Sequence, residues 1–218
     1  CEHCHGPAEA WLQAHVEKDW NQKKAQYADK GFYDNGDYRK RAAKCASCHL
    51  EIDHEIVAGG HPPLQFELVA YAQIMKHWDD QDEENEGKFS VDPTIWAIGQ
   101  ITGLRGLMQS LERRAGDESY QGLGKFSHFE GRNCYTCHHK LLEDTMRQAR
   151  GHYQMVDALL AVTGAADKGT LGGLWNGVSS GVDASAEAAG SKARALADWL
   201  APLDDRILAN RLTQEQTR

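Results

Sequence analysis

All six cysteines of this 218-residue chain fall into three copies of one pattern, Cys-x-x-Cys-His, at positions 1–5, 45–49 and 134–138. Two thiols at this spacing lie on one helical turn and can form thioethers with the two vinyl groups of a haem, while the next histidine binds the iron. The pattern predicts three haem c groups. The attachment residues are Cys1, Cys4, Cys45, Cys48, Cys134 and Cys137. The proximal iron ligands are His5, His49 and His138.

Zinc binding, thioredoxin-like chemistry and disulfide bonding explain the cysteines less well. A zinc site pairs two Cys-x-x-Cys motifs, but three motifs leave an odd half-site, and zinc has no need of a histidine after every second cysteine. A thioredoxin-like motif needs a βαβ context, whereas the flanking sequence has helical periods and few β-branched runs. Disulfides between cysteines three residues apart are strained, and a domain of this size does not need them.

The sixth ligand of each iron decides which chemistry is open to it. Of the eleven histidines, eight lie outside the three proximal positions, and bis-histidine ligation explains this surplus. A second strong ligand saturates the iron and leaves electron transfer as its chemistry, whereas an open position permits catalysis on a small molecule. The histidines therefore favour an electron carrier over an enzyme.

Three histidines are the preferred distal ligands. His61 lies in Gly-Gly-His-Pro-Pro, where the glycines let the backbone approach a flat ring and the prolines fix the exit direction. His15 lies on the expected apolar face of the first helix, where an imidazole needs a buried partner. His128 precedes the third motif and is followed by Phe129. These three complete the predicted iron ligands.

The remaining histidines and the methionines fit structural roles as well as ligation. The sequence leaves open which of four histidines are distal ligands: the preferred candidate His128 and the weaker candidates His54, His77 and His152. His139 points about 100° away from His138 on one helix, so it cannot bind the same haem. The four methionines could be axial thioethers, but their helical spacing favours core packing.

Composition and charge restrict the partners. The chain is 41% apolar and 26% charged, with a net charge of −8 at pH 7 and a mean hydropathy of −0.62. Nucleic acids and anionic membranes select basic patches, so neither is expected, whereas a redox protein with a basic docking surface is. No run of eighteen apolar residues occurs, so no transmembrane segment is predicted. The low apolar content predicts that haems replace a large hydrocarbon core.

Helical periods predict an all-α fold, in which helices and loops wrap around covalently bound haems with little or no sheet. The first helix is expected over 7–27, with Trp11, Leu12, His15, Val16 and Trp20 on one face. Asp92 and Pro93 predict the start of a helix that ends near residue 115. Its expected inward-facing residues are Leu104, Leu107, Met108 and Leu111.

The chain is expected to divide into three parts. Residues 1–163 form the multihaem domain, residues 164–182 a Gly-rich linker, and residues 183–218 a C-terminal helical tail. Within the tail, the predicted apolar stripe of a terminal helix consists of Leu196, Leu200, Leu203 and Ile207.

Residues 1–160 resemble the multihaem cytochromes related to cytochrome c-554. The resemblance rests on Cys-Glu-His-Cys-His-Gly-Pro-Ala-Glu at 1–9, on the motif at 45–49 with the Gly-Gly-His-Pro element after it, and on Cys-Tyr-Thr-Cys-His-His at 134–139. It implies helical haem-packing units with neighbouring porphyrins in contact and bis-histidine irons. The distal ligands it implies, in the Gly-His-Pro element and after the Cys-His-Gly-Pro segment, correspond to His61 and His15.

The resemblance also implies periplasmic or extracellular electron transfer in a bacterium, because c-type haems are attached outside the cytoplasm. A homo-oligomer or a larger cytochrome complex with redox partners is expected. The alternatives are a multihaem oxidoreductase in which one open haem acts on a small nitrogen or sulfur compound, and a subunit of a larger cytochrome assembly. Such cytochromes commonly carry four haems, so a further haem is expected on a segment upstream of Cys1 or on a partner chain, and one haem could be five-coordinate.

Overall fold

Helices account for the regular structure in the computed structural model, which describes residues 2–50, 56, 59–62, 66–74, 92–116 and 147–210. These ranges contain nine α-helices: α1 (Glu2–His5), α2 (Trp20–Lys23), α3 (Tyr38–His49), α4 (Leu68–Ile74), α5 (Pro93–Ala115), α6 (Arg147–Thr163), α7 (Lys168–Ala184), α8 (Ala186–Leu200) and α9 (Leu203–Ala209). Two 3₁₀-helices, Ala14–Val16 and Lys24–Lys30, flank α2. The described residues form no β-strand, which confirms the all-α fold class.

Helix α5 lies at the centre of the fold and begins as predicted. The carboxylate of Asp92 caps it by accepting from the backbone N–H of Thr94 at 2.8 Å, and Pro93 occupies the first turn, where no N–H is needed. The helix packs against α3, α4, α6, α8 and α9. The four residues expected to face inward are fully buried: Leu104, Leu107, Met108 and Leu111.

The helices enclose a conventional apolar core, so the expectation that haems replace one is wrong for most of the described chain. One continuous cluster of buried side chains runs through α5 to α9. Residues 2–50 contribute three members to it: Ala42, Ala46 and Leu50. Because the apolar residues are concentrated in the later helices, the average apolar content of the whole chain underestimates the size of the core.

Residues 164–182 are largely helical instead of the Gly-rich linker expected from the sequence. Asp167 caps α7 by accepting from the backbone N–H of Thr170 at 2.6 Å. The buried face of α7 consists of Leu171, Trp175, Val178, Gly181 and Val182. Burial of this stripe outweighs the helix propensity lost at each glycine, about 1 kcal/mol relative to alanine. A Cβ on Gly181 would lie 3.0 Å from the carbonyl oxygen of Ala188, so α7 and α8 pack very closely.

The predicted terminal helix is two helices, α8 and α9. All four residues of its stripe are buried: Leu196, Leu200, Leu203 and Ile207. Pro202 interrupts the helix because it has no N–H to donate, and the chain continues as α9. An ion pair from Arg105 to Asp204, 2.9 Å long, attaches α9 to α5. No helix in the described ranges combines the length and apolar character needed to span a bilayer.

The single helix expected over 7–27 is wrong. Turns and short helices occupy this segment, and Glu17 has an extended backbone. At 100° per residue, a continuous helix would place Trp11 and Trp20 on opposite faces and about 13 Å apart along the axis. Their ring centroids instead lie 6.2 Å apart, because both side chains pack in one aromatic cluster.

Candidate functional site

A cavity of about 330 Å³ opens beside the first Cys-x-x-Cys-His motif. Its wall consists of His5, Trp11, His15, Trp20, Lys24, Phe32, Asp34, Asn35, Gly36 and Arg41. Cavities of this size hold cofactors and small ligands in many proteins. The predicted proximal ligand His5 and the predicted distal ligand His15 therefore line the same space.

Aromatic rings form the apolar part of the wall. The centroid of the Phe32 ring lies 5.2 Å from that of Trp11 and 5.0 Å from that of Trp20, both in edge contacts. The ring of His5 is nearly parallel to Phe32, with 6.2 Å between centroids and 6° between planes. Such a wall suits a large, flat, apolar ligand.

Two hydrogen bonds hold the first motif against the turn at residues 31–37. The Nδ1–H of His5 donates to the backbone carbonyl of Tyr33 at 3.3 Å, and the side-chain amide of Asn35 donates to the carbonyl of Cys4 at 2.9 Å. A hydrogen bond at Nδ1 orients an imidazole and selects Nε2 as its metal-binding nitrogen. His5 is thus oriented as a proximal ligand requires.

The glycine that follows the first motif is required by the backbone. Gly6 has a φ of +79°, and a Cβ there would lie 2.0 Å from the carbonyl oxygen of Gly31. Only glycine tolerates both conditions. The close approach brings the turn that carries Tyr33 and Asn35 against the motif.

His15 lies in the 3₁₀-helix Ala14–Val16. It is exposed, so its expected burial on an apolar helix face is wrong, because the helix does not continue here. Its ring contacts the edge of Trp11, with 5.8 Å between centroids, and its Nδ1–H donates to the carbonyl of Leu12. With Nδ1 bonded in this way, Nε2 is the nitrogen suited to a metal.

The second motif forms the last turns of α3 and lies next to the first. The Sγ of Cys48 is 3.6 Å from Nε2 of His3, a residue inside the first motif. Burial raises the pKa of the Cys45 thiol, the nearby Cys4 thiol raises it further, and the positive charge of Arg41 opposes both. The attachment cysteines of the two motifs are therefore neighbours.

The end of the second motif packs against α4, and the residue after it packs against the central helix α5. Leu50 packs onto Gly106 of α5, where a Cβ would lie 2.2 Å from the Leu50 side chain. The His49 ring lies 4.7 Å from the ring of Tyr71 on α4. Its Nδ1 is buried and has no hydrogen-bond partner among the described residues. A proximal ligand normally donates a hydrogen bond from this nitrogen, and the described residues contain no acceptor for it.

His61, the second predicted distal ligand, is exposed in the structure. Its Nδ1–H donates to the carbonyl of Pro62 at 2.8 Å. Gly60 has a φ of +102°, so glycine is needed to direct the chain into this histidine. The orientation suits metal binding through Nε2, as for His15.

His152, a further candidate ligand, is a core residue. It is 7% exposed and its Nδ1–H donates to the side-chain oxygen of Gln100 at 2.8 Å. Its ring lies flat on Gly103, where a Cβ would come within 2.6 Å of it. Burial lowers the pKa of His152 to about 4. These contacts between α5 and α6 explain the burial of His152 without a role in haem binding.

We expect the low pKa of His152 to make the protein less stable in acid. The imidazole is neutral in the folded state down to about pH 4, whereas in the unfolded chain it takes up a proton near its model value of 6.5. The contribution of neutral His152 to the free energy of unfolding is therefore complete above pH 6.5. It falls by about 3 kcal/mol as the pH falls to about 4. Urea unfolding at several pH values should show this loss in the parent protein and a flatter profile in His152→Asn. Equal profiles would contradict the burial.

Several predicted residues lie outside the described residues. They include the first cysteine and the whole third motif: Cys1, Cys134, Cys137 and His138. They also include the distal candidates His54, His77 and His128, and His139. Within the described ranges, no group of three or more histidine, cysteine, aspartate or glutamate residues is arranged to hold a metal ion.

The residues that line the cavity beside the first motif, together with that motif, form the first site, and they fit a haem. Cys4 precedes His5 directly, as thioether attachment requires, and both cavity histidines have Nδ1 bonded to a backbone carbonyl. The buried Nε1–H of Trp11 has no acceptor among the described residues. Since a buried donor normally has a partner, this group is suited to an acceptor on a bound molecule.

Three residues of the site were missed by the sequence analysis. Tyr33 acts through its backbone carbonyl, and Asn35 through a contact between segments thirty residues apart, so neither leaves a pattern. Arg41 lies one helical turn before Cys45, and this i,i+4 spacing on α3 is the signal that could have identified it.

Comparison with family models, with curated proteins and with solved structures finds no match to this chain.

Proposed function

We propose that this chain is a multihaem c-type cytochrome that transfers electrons through three covalently attached haems. One observation carries the proposal: His5 and His15, predicted as proximal and distal ligands, line the same aromatic cavity beside an attachment motif. When bound, haem c supplies a one-electron iron couple. The three Cys-x-x-Cys-His motifs supply the attachment chemistry.

Different residues of the first site would attach the haem, bind its iron and shield it from water. The thiols of Cys1 and Cys4 would attach it, and Nε2 of His5 and of His15 would bind its iron. The carbonyls of Tyr33 and Leu12 keep the two imidazoles oriented, because each accepts from Nδ1–H. Trp11, Trp20 and Phe32 exclude water from the ring.

The contact between the first two motifs supports electron transfer. Nε2 of His3, inside the first motif, lies 3.6 Å from Sγ of Cys48 in the second motif. Haems attached through these two motifs would therefore be close to each other, which would allow an electron to pass between them. His49 and His138 serve the second and third haems, with His61 and His128 as their proposed distal ligands.

The proposed partners are redox proteins with basic docking surfaces, because the chain has a net charge of −8. We place the protein in the periplasm or outside a bacterial cell, where haem c is attached. A homo-oligomer or a larger cytochrome complex fits this role, and it could carry a further haem.

Carbon monoxide distinguishes this carrier from a multihaem oxidoreductase. The reduced holoprotein is expected to show low-spin absorption bands from every haem, and its spectrum should not change when carbon monoxide is added, because two histidines saturate each iron. Visible absorption before and after the addition measures this. A high-spin component that binds carbon monoxide would instead support an enzyme that acts on a small nitrogen or sulfur compound.

A further inference from the structure

We propose that Glu67 is a positioning residue for the second haem: in the holoprotein its carboxylate accepts a hydrogen bond from Nδ1–H of His49 and lowers the reduction potential of that haem. The inference rests on the proposed function. It assigns a role to a residue that neither attaches a haem nor binds iron, and it supplies an acceptor for the second proximal ligand.

Two buried polar atoms without hydrogen-bond partners among the described residues are the first observation. One is Nδ1 of His49, and the other is Oε1 of Glu67. Iron binding at Nε2 leaves the proton of a neutral imidazole on Nδ1, so haem attachment makes this nitrogen of His49 a donor. A carboxylate oxygen is an acceptor. Because a buried polar group without a partner is costly, the two atoms are suited to each other.

Tyr71 of α4 is the second observation, because it lies next to both residues. The centres of its ring and of the His49 ring are 4.7 Å apart. Its backbone N–H donates to the carbonyl of Glu67 at 3.2 Å, and residues four apart on a helix share a face. Burial raises the pKa of Tyr71, and the nearby Cys45 thiol and Glu67 carboxyl group raise it further. Glu67 and the second motif therefore lie around the same tyrosine.

The second carboxylate oxygen of Glu67 holds the residue at the start of α4. Oε2 accepts from the backbone N–H of Ala70 at 2.6 Å, which leaves Oε1 as the oxygen available to His49. Asp167 caps α7 with the same geometry, because its Oδ2 accepts from the backbone N–H of Thr170 at 2.6 Å. The two carboxylates therefore share a capping role, and only Glu67 is next to a haem motif.

The proposed hydrogen bond affects the iron through its ligand. An imidazole that donates from Nδ1–H to a carboxylate is a more basic ligand. Oxidised iron carries one more positive charge than reduced iron, so the more basic ligand and the nearby negative charge both favour the oxidised form. In a buried site water screens this interaction little. Glu67 should therefore lower the potential of the second haem.

Glu67→Gln in the holoprotein tests the proposal, because it removes the charge and keeps an oxygen that can cap α4. Spectroelectrochemical titration should show a tenfold or greater rise in the equilibrium constant for reduction of one haem, about 59 mV for a one-electron couple. That haem should differ from the one that loses its low-spin signal in His15→Ala. The matched control is Asp167→Asn, which makes the same change at the cap of α7; less than a threefold change is expected.

A potential that stays the same or falls in Glu67→Gln, an equal shift in Asp167→Asn, or a shift confined to the haem of His15 would overturn the inference and leave the proposed function intact. A parent protein without haem would overturn the proposed function itself.

If Glu67→Gln does not assemble, proton NMR of the reduced parent holoprotein decides the question. The Nδ1–H of His49, identified by its contact with the Tyr71 ring, should resonate downfield of the Nδ1–H of His5, whose acceptor is the neutral carbonyl of Tyr33. The His5 signal is identified by its change in His15→Ala. An equal or upfield position for His49 would contradict the hydrogen bond to a carboxylate.

Discussion

His15→Ala is expected to convert one of three low-spin haems into a high-spin haem that binds carbon monoxide. The reason is that His15 lines the cavity of His5 and has its Nδ1 bonded to the carbonyl of Leu12, which leaves Nε2 as its metal-binding nitrogen. Without this imidazole the iron keeps its proximal ligand and gains an open position. Visible spectra of the reduced variant, with and without carbon monoxide, measure the change.

His3→Ala is the matched control, because His3 is also an exposed histidine, occupies a variable position inside the first Cys-x-x-Cys-His motif and does not line the cavity. It should retain three low-spin haems. A low-spin spectrum in His15→Ala that carbon monoxide leaves unchanged would show that another residue is the distal ligand. The cavity would then have a different role.

Haem-free protein is expected to keep α5, α7 and α8 folded while residues 2–37 lose their order. The apolar core extends through α5 to α9, whereas the buried apolar residues before residue 38 lie outside it: Ala8, Trp11 and Ala14. Trp11 lines the cavity, so the order of this segment should depend on what fills the cavity. Amides of α5 and α8 should therefore exchange about a hundredfold more slowly than those of residues 2–37, a difference of ~3 kcal/mol.

Hydrogen exchange with mass spectrometry measures this difference in protein made without haem attachment. The holoprotein is the comparison, and there residues 2–37 should also be protected. Equal exchange across the whole haem-free chain would show that the core of α5 to α9 is not stable alone. In that case the haems would be as important for folding as the composition suggested.

Helices were predicted well where the sequence contains both a capping signal and a regular apolar period. The start of α5 follows from Asp92 and Pro93, and its inward face from a period of 3.6 residues. In α7 the sequence contains both the apolar stripe of a helix and the glycines typical of a linker, and the stripe decides the structure. Helix propensity is a weak prior, and burial of Leu171 and Trp175 overrides it.

The candidate site was predictable in its chemistry and less so in its geometry. The positions of His5 and His15 followed from motif and context, whereas the turn that supports His5 comes from residues 31–37, which no local pattern connects to it. The segment between the two histidines was expected to be one helix because its apolar spacing suggested a single face. Aromatic packing of Trp11, Trp20 and Phe32 decides its actual path.

Covalent attachment of three haems is tested most directly by the mass of the intact polypeptide. The mass is measured under denaturing conditions after extraction with acidified organic solvent. Thioether bonds survive this treatment, so the account predicts one species that carries three haems and keeps its colour. A bare polypeptide, or pigment that passes into the solvent, would contradict covalent attachment at the three motifs.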